Sequence, residues 1–468
     1  MKIPVKRIIR IIVSLIIVIT LSCPVPSAAA DTVKSFDTGL ILHVTAKGKY
    51  SNWDGVSNVS QFKGQNGNYW FAYDEDKYVT VVKTTDGKVE STVRLKKEHE
   101  TFGAVECDSD GNFYLMTGEA NTGTDTSKET VFLSKYDSTG KHVKTVGNNG
   151  SSSLADYYGD DFYTQTPFEG GNCDIAVNGD YIAINYARHM YSGHQSNSVW
   201  MLEKNELKTI DPYNNIYNSH SFGQRVIPYG DGFLFMSEGD CYPRAFSMNY
   251  EEAPSKKDSH GSVLDNEADI FHFWVKEGTF DAWDMFTLND NFATIGDLCD
   301  LGNNTASFVA SSVKAMNSDA TDQVQNIFIQ IFDPTKKFGG KSAFVTSGKR
   351  VGLSGPNGNV KTTDYGVKWI TKYTKESEKR PSCVQAVSDD KGNTVILFEL
   401  YKNYTYKGVY YCVVNSEGKV SKKIRRCSSD AQLNPCETPV YADGAVWWTG
   451  NKYREYNDKL YVYSLPIE

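Results

Sequence analysis

After residue 30 the chain has no run of the roughly 18 apolar residues that a membrane helix needs. No transmembrane span is therefore expected in the mature chain. Positive charge is in deficit, and the net charge of −8 lacks the basic footprint of a nucleic-acid partner. The cysteines form no CxxC and no zinc-type spacing, so no metal site is expected. Gly-x-Ser-x-Gly, HExxH and phosphate-loop patterns are missing too, so no motif names a reaction, and the cofactor stays unassigned. No segment carries an apolar stripe of helical period.

The first thirty residues carry a different signal. Lys2, Lys6, Arg7 and Arg10 precede the short apolar segment Ile11–Leu21, and Ser27-Ala28-Ala29-Ala30 offers small residues for cleavage. This is the pattern of an export signal, with the mature chain starting at Asp31. Cys23 raises lipid anchoring as the alternative, although Thr20-Leu21-Ser22 fits a lipobox poorly. The remaining 438 residues suffice for one large domain. An extracellular setting permits disulfides. Cys383 and Cys436 precede similar strands and are the first pair to consider, with buried thiols as the alternative.

Internal similarity is the dominant feature. Thr101–Glu119 and Ser221–Asp240 share Phe-Gly, a strand, a glycine turn and a strand ending in Met. Weaker copies lie at Val59–Asp76, Cys173–His189, Ala293–Ser312, Cys383–Tyr401 and Pro439–Asn451. Several copies are followed by a further strand, Gly turn and strand with period-two alternation. Each unit thus reads as four antiparallel strands, A to D. Seven units of roughly 63 residues predict an all-β, seven-bladed β-propeller in one domain, 31–468, with a six-bladed ring as the alternative. The leading Gly39–Val44 has no blade of its own and is expected to pair with the last blade and close the ring. The excess length is expected in loops near Asn148–Gly170, Glu251–Asp269 and Lys336–Lys361.

Propeller topology puts the D-to-A and B-to-C loops on one face, where most of the polar clusters fall. Ser219-His220-Ser221 enters blade four, and Asp240-Cys241-Tyr242-Pro243-Arg244 leaves its second strand. Blade three adds Arg188 and His194. His220, Gln224, Arg225, Asp240, Tyr242, Arg244, Arg188 and His194 are therefore the candidate ligand-binding residues. Arginine forks hold carboxylates, sulfates or phosphates. Histidine beside a carboxylate moves protons. Each has a plainer alternative: Arg225 pairs with Asp240 or a neighbouring blade's carboxylate, and His220 bonds backbone at a strand entrance. Asp74-Glu75-Asp76 lacks the ligand spacing of a calcium loop and reads as a solvated turn. His43, His142 and His272 read as ordinary strand or turn residues.

Ser388–Val395 and Thr362–Trp369 resemble the Asp-box of sialidase-like propellers, a hairpin device rather than a catalytic one, and each departs from its pattern. The stretches SHSFGQRV, GDCYPR and GVKWITKYT resemble motifs of a group of secreted bacterial propeller proteins. That resemblance covers most of the mature chain. It implies export and fold but no defined activity, so it transfers no catalytic residue. The expected function is a secreted binding module whose partner is an extracellular ligand or surface component: a glycan, a peptide or a surface structure. The alternatives are a hydrolase or lyase on a glycan or anionic ester, with His220 as acid/base, and a structural role at the cell surface.

Overall fold

The computed structural model describes residues 33–45, 55–85, 87–150, 163–171, 173–190, 195–210, 217–219, 221–239, 245–254, 266–272, 293–314, 324–354, 360–455 and 458–467. They form seven antiparallel sheets arranged as a ring, a seven-bladed β-propeller. The innermost strands are Val59–Lys63, Thr101–Cys107, Cys173–Asn178, Ser221–Tyr229, Thr294–Gly302, Lys379–Ser388 and Val440–Ala442. Each coincides with the first strand of a repeat copy. Among the described residues helical structure is limited to single 3-10 turns, such as Lys341–Ala343 and Lys375–Ser377. None of their helices is long and apolar enough to cross a membrane.

The described core divides into seven apolar clusters, and each lies between two neighbouring blades rather than inside one. This is the physical reason for the ring. A four-stranded sheet has two apolar faces and can bury both only against the next blade on either side. Aromatic pairs carry much of that contact. Tyr69 of blade one stacks on Trp447 of blade seven at 5.2 Å between ring centroids, and Phe271 of blade four stacks on Phe328 of blade five at 4.2 Å.

The ring closes as the sequence predicts, with a longer strand than Gly39–Val44. Lys34–Ile41 pairs antiparallel with Lys459–Pro466 and becomes the outer strand of blade seven. Two of the regions expected to hold loop insertions lie largely outside the described residues. In the third, at Lys336–Lys361, the expected loop includes an added hairpin, Lys349–Ser354 paired with Val360–Tyr365. The second Asp-box-like stretch falls there and does not act as one. Asp364 instead accepts from the Arg350 guanidinium at 2.9 Å and from the His272 backbone N–H at 3.1 Å, fastening the hairpin to blade four. His272 is thus half of a buried anchor rather than an ordinary strand residue. The first stretch is a true turn device. Asp389 Oδ1 accepts the backbone N–H groups of Lys391 and Asn393, and Asp108 does the same for Asp110 and Asn112 in blade two.

Candidate functional site

Four of the inner strands break register at the same level, between Phe102 and Ala104, Phe222 and Arg225, Ile295 and Leu298, and Ser382 and Gln385. The Phe-Gly shared by copies two and four is therefore a β-bulge signal. A bulge inserts one residue and re-aims the side chains beside it. At Gly223 the backbone is left-handed (φ 61°), and a Cβ there would meet Ile295 Cγ2 at 2.5 Å. At Gly296 a Cβ would meet Val309 O at 2.4 Å. Only glycine fits both places. The residues just beyond them, Arg225 and Asp297, face the axis.

Arg225 is the hub of that axis. Its Nε donates to Asp297 Oδ1 at 2.8 Å and to Gly296 O at 3.0 Å, and its Nη1 donates to Gln224 O at 2.7 Å. Asp297 is fully buried, and its Oδ2 accepts Ala386 N–H of blade six at 2.8 Å. Thr438 Oγ1 of the seventh copy donates to Oδ1 at 2.8 Å. One carboxylate thus ties together four blades. The same device recurs around the ring. Asp174 Oδ2 accepts Val226 N–H at 2.8 Å, and Glu437 Oε2 accepts Gln61 N–H at 3.0 Å. In each case an acidic side chain of blade three, five or seven caps a backbone N–H of the next inner strand. Blades six, four and one answer with a buried glutamine in the inner strand. Gln385 Nε2 donates to Asn434 O and Glu437 O, Gln224 Nε2 to Asn197 Oδ1 at 2.9 Å, and Gln61 Nε2 to Thr438 O at 2.8 Å.

Four carboxyl groups thus gather near a single guanidinium, and burial raises all of them. Glu106 is pushed up to about 8, by burial first and then by the charge of Asp174. Asp174 rises to about 6 by burial, opposed by the Val226 N–H and by Arg225. Asp297 is raised by burial against the pull of Arg225, and Glu437 lies well above the usual carboxylate range for the same reason. Burial thus favours the protonated form of Glu106 more strongly than that of Asp174. Environment, not residue type, separates the two.

The axial space has two parts. A chamber of about 50 Å³, lined by Glu106, Asp174, Gln224, Arg225 and Glu437, has room for a few waters. It meets a cleft of about 440 Å³ that reaches the A-to-B turns and shares Glu106, Asp174 and Arg225 with the chamber. Residues of all seven repeat units line this cleft, including Lys63, Pro228, Leu298, Asp390 and Tyr441. It opens on the lower face, opposite the D-to-A and B-to-C loops.

The upper face carries the contacts that topology predicts between those two loop sets. Glu169 bonds His189 at 2.9 Å, His99 meets Glu119 at 3.4 Å, and Lys97 pairs with Asp74 at 2.7 Å. Asp74 is thus half of a partly buried pair rather than only a solvated turn residue. Among the described residues no group of three or more His, Cys, Asp or Glu is arranged to hold a metal ion.

Of the predicted site residues, His194, His220, Asp240, Tyr242 and Arg244 lie outside the described residues. Gln224 is buried against blade three. Arg188 is fully buried, donating from Nε to Ser196 Oγ at 3.0 Å and from Nη1 to Gly150 O. Its place is inside blade three rather than on a surface. Arg225 takes the plainer of its two alternatives and pairs with the carboxylate of a neighbouring blade. Its cavity opens on the face opposite the one expected. Cys383 is a free thiol, so the bond to Cys436 is not formed. Glu106, Asp174, Asp297 and the axial role of Glu437 were not recognised from sequence. Their signal is an acidic residue at one level on an inner strand, in VEC, CDI and GDL, or just before it, in CET.

No protein-family profile matches the chain, and no curated protein matches it in sequence. Similar solved structures include the polysaccharide lyase Uly1, at 11% identity and TM-score 0.42, covering 94% of this chain and 91% of that one. The β-propeller domain of the Trilobed protease from Pyrococcus furiosus matches at 9% identity and TM-score 0.43, covering 92% and 97%. The α-L-arabinanase of Cellvibrio cellulosa matches at 9% identity and TM-score 0.30, covering 70% and 96%. These chains are distant in sequence and transfer no activity to this one.

Proposed function

We propose that this protein is an exported binding propeller that takes an extracellular ligand, a glycan or peptide, in its axial cleft. The observation that carries this reading is the 440 Å³ cleft to which all seven repeat units contribute and in which Arg225, Glu106 and Asp174 converge. Concave sites of that size with a few convergent polar groups are where proteins take small ligands. The N-terminal export pattern puts such a ligand outside the cell. The test is a calorimetric screen of oligosaccharides and peptides against purified residues 31–468. Lys63→Ala and Asp390→Ala alter exposed rim residues and should leave the fold intact. They should weaken the ligand found at least about tenfold, roughly the 1.4 kcal/mol expected of a charged hydrogen bond. Ligand binding indifferent to both variants would remove the cleft as the site.

One observation favours a second reading, a hydrolase or lyase. Glu106 and Asp174 share a cavity, and their ionisation is split around neutrality. A protonated acid beside an ionised base is what general acid–base catalysis needs. On this reading turnover appears as pH rises through about 6 and is lost as it rises through about 8. Glu106→Gln would abolish product while binding survives. Full ligand binding with no product at any pH would leave binding as the whole function.

A further inference from the structure

The upper face holds a second cleft, of about 580 Å³, between blades five and six. Lys375, Lys379 and Arg380 line it with one carboxylate, Glu378, and since Lys375 interacts with the adjacent Glu376 the charge facing the cleft is carried by Lys379 and Arg380. Such an excess of positive charge stands out in a chain of net charge −8. Among the described residues Lys379 and Arg380 form no ion pair. Each instead stands over an aromatic ring, Lys379 at 5.5 Å from the centroid of Tyr373 and Arg380 at 5.5 Å from that of Tyr404.

The walls of this cleft are built rather than loose. The 3-10 turn Lys375–Ser377 is locked by Thr374 and Ser377, each bonding the other's backbone or hydroxyl, and delivers Lys379 and Arg380 at the start of the inner strand. The opposite wall is the tight turn Asn403–Tyr404 between strands Thr394–Lys402 and Thr405–Val414. Asn403 N–H donates to Glu378 O at 2.9 Å and joins the two walls. Both turn residues are left-handed, at φ 47° and 57°. That geometry calls for glycine at the second position. The A-to-B turn of blade five solves the same problem with Asn303-Asn304. Here a tyrosine occupies the place and stands 84% exposed, the most exposed large apolar side chain of the described residues. Its ring stands against Arg380 rather than packing into the blade.

We infer that this cleft is a binding site for an anionic saccharide, a sugar ring bearing a carboxylate or sulfate. The guanidinium of Arg380 supplies a planar fork for the anion, and Lys379 adds a point charge. The face of Tyr404 offers a flat, amphipathic platform for the C–H face of the sugar. The cleft is large enough for two or three sugar units. It lies on the face opposite the axial cleft, so the two sites are separable by mutation.

The test uses three trisaccharides on purified residues 31–468: one of galacturonic acid, one of sulfated galactose and one of uncharged galactose. At least one charged trisaccharide should bind, at least about tenfold tighter than the uncharged one and more weakly as salt rises. Whichever anion binds names the charge. Tyr404→Gly and Arg380→Ala should each lose at least about tenfold in that affinity. Tyr404→Gly suits the turn better than the native residue, so loss of binding without loss of thermal stability separates recognition from folding. Lys63→Ala and Asp390→Ala on the other face should leave it unchanged. Equal affinity for the uncharged sugar, binding untouched by Tyr404→Gly, or equally tight binding of hexaglutamate would each overturn the assignment.

Discussion

The axis and the blade-six rim use the same residue types to opposite ends. At the axis Arg225 is 12% exposed and engaged by a fully buried carboxylate, and its acidic neighbours cap backbone groups of adjacent blades. At the rim Arg380 and Tyr404 are exposed, the arginine forms no ion pair among the described residues, and the tyrosine occupies a backbone geometry that disfavours it. Inside, these charges tie inner strands of adjacent blades together, while Arg225 and Asp174 still line the axial cleft. Outside, charge and aromatic surface are left available at some local cost, about 1 kcal/mol or more for a non-glycine residue in the left-handed region. An arginine is therefore informative about ligands only once its partners are known.

The comparison is most easily broken at Asp297. Removing it by Asp297→Ala takes from Arg225 the carboxylate it bonds, leaving only the more distant charges of Asp174 and Glu437, and removes acceptors for Ala386 N–H and the Thr438 hydroxyl. A loss of about 3–5 kcal/mol is expected, read as a lower midpoint in urea unfolding. Arg380→Ala, the corresponding charge removal at the rim, should stay within about 0.5 kcal/mol of the wild type. Similar losses from both substitutions would erase the distinction.

A smaller effect concerns protons. Glu106 is held near 8 in the folded chain, against an ordinary value of 4.5. Between those values the unfolded chain releases the proton and the folded chain keeps it. Stability conferred below pH 4.5 therefore drains away as pH rises toward about 8, by at most about 1.4 kcal/mol per pH unit. Glu106 faces a cavity with room for water, so the observed slope should be shallower. Glu106→Gln should flatten this part of the pH profile and stabilise the protein near pH 8, measured by thermal melts across pH 4–9. No exposed rim carboxylate should do the same.

The smallest expected effect has the opposite sign to most substitutions. Tyr404→Gly should leave stability unchanged or raise it by up to about 1 kcal/mol, because glycine accepts φ 57° without strain. A clear loss in the same melts would show that the ring serves the fold and would sink its role as a sugar platform.

Much of the architecture was legible beforehand. All seven copies of the repeat begin on inner strands, and the Gly39–Val44 segment overlaps the closing strand Lys34–Ile41. Less of the site was. His194, His220, Asp240, Tyr242 and Arg244 lie outside the described residues. Of the other three candidates, Arg188 and Gln224 are buried against their own neighbourhood. A polar residue at a strand end looks the same in sequence whether it faces solvent or another blade. The acidic residues of the inner strands were visible as breaks in an apolar pattern. They gained meaning only when superposed around one axis.

The sequence by itself determined what depends on near neighbours. Period-two alternation, turn glycines and the Asp108 and Asp389 turn devices act within a few residues, and their repetition is enough to specify strands, blades and a ring. Tertiary structure alone decided what depends on distance across the ring. Arg225 meets Asp297 from 72 positions away, and Gln61 meets Glu437 from 376. Whether a carboxyl keeps its proton, and whether a cation is left for a ligand, follows from burial and from charges brought close by folding. Those energies are set by separation in space, which the order of residues along the chain does not record.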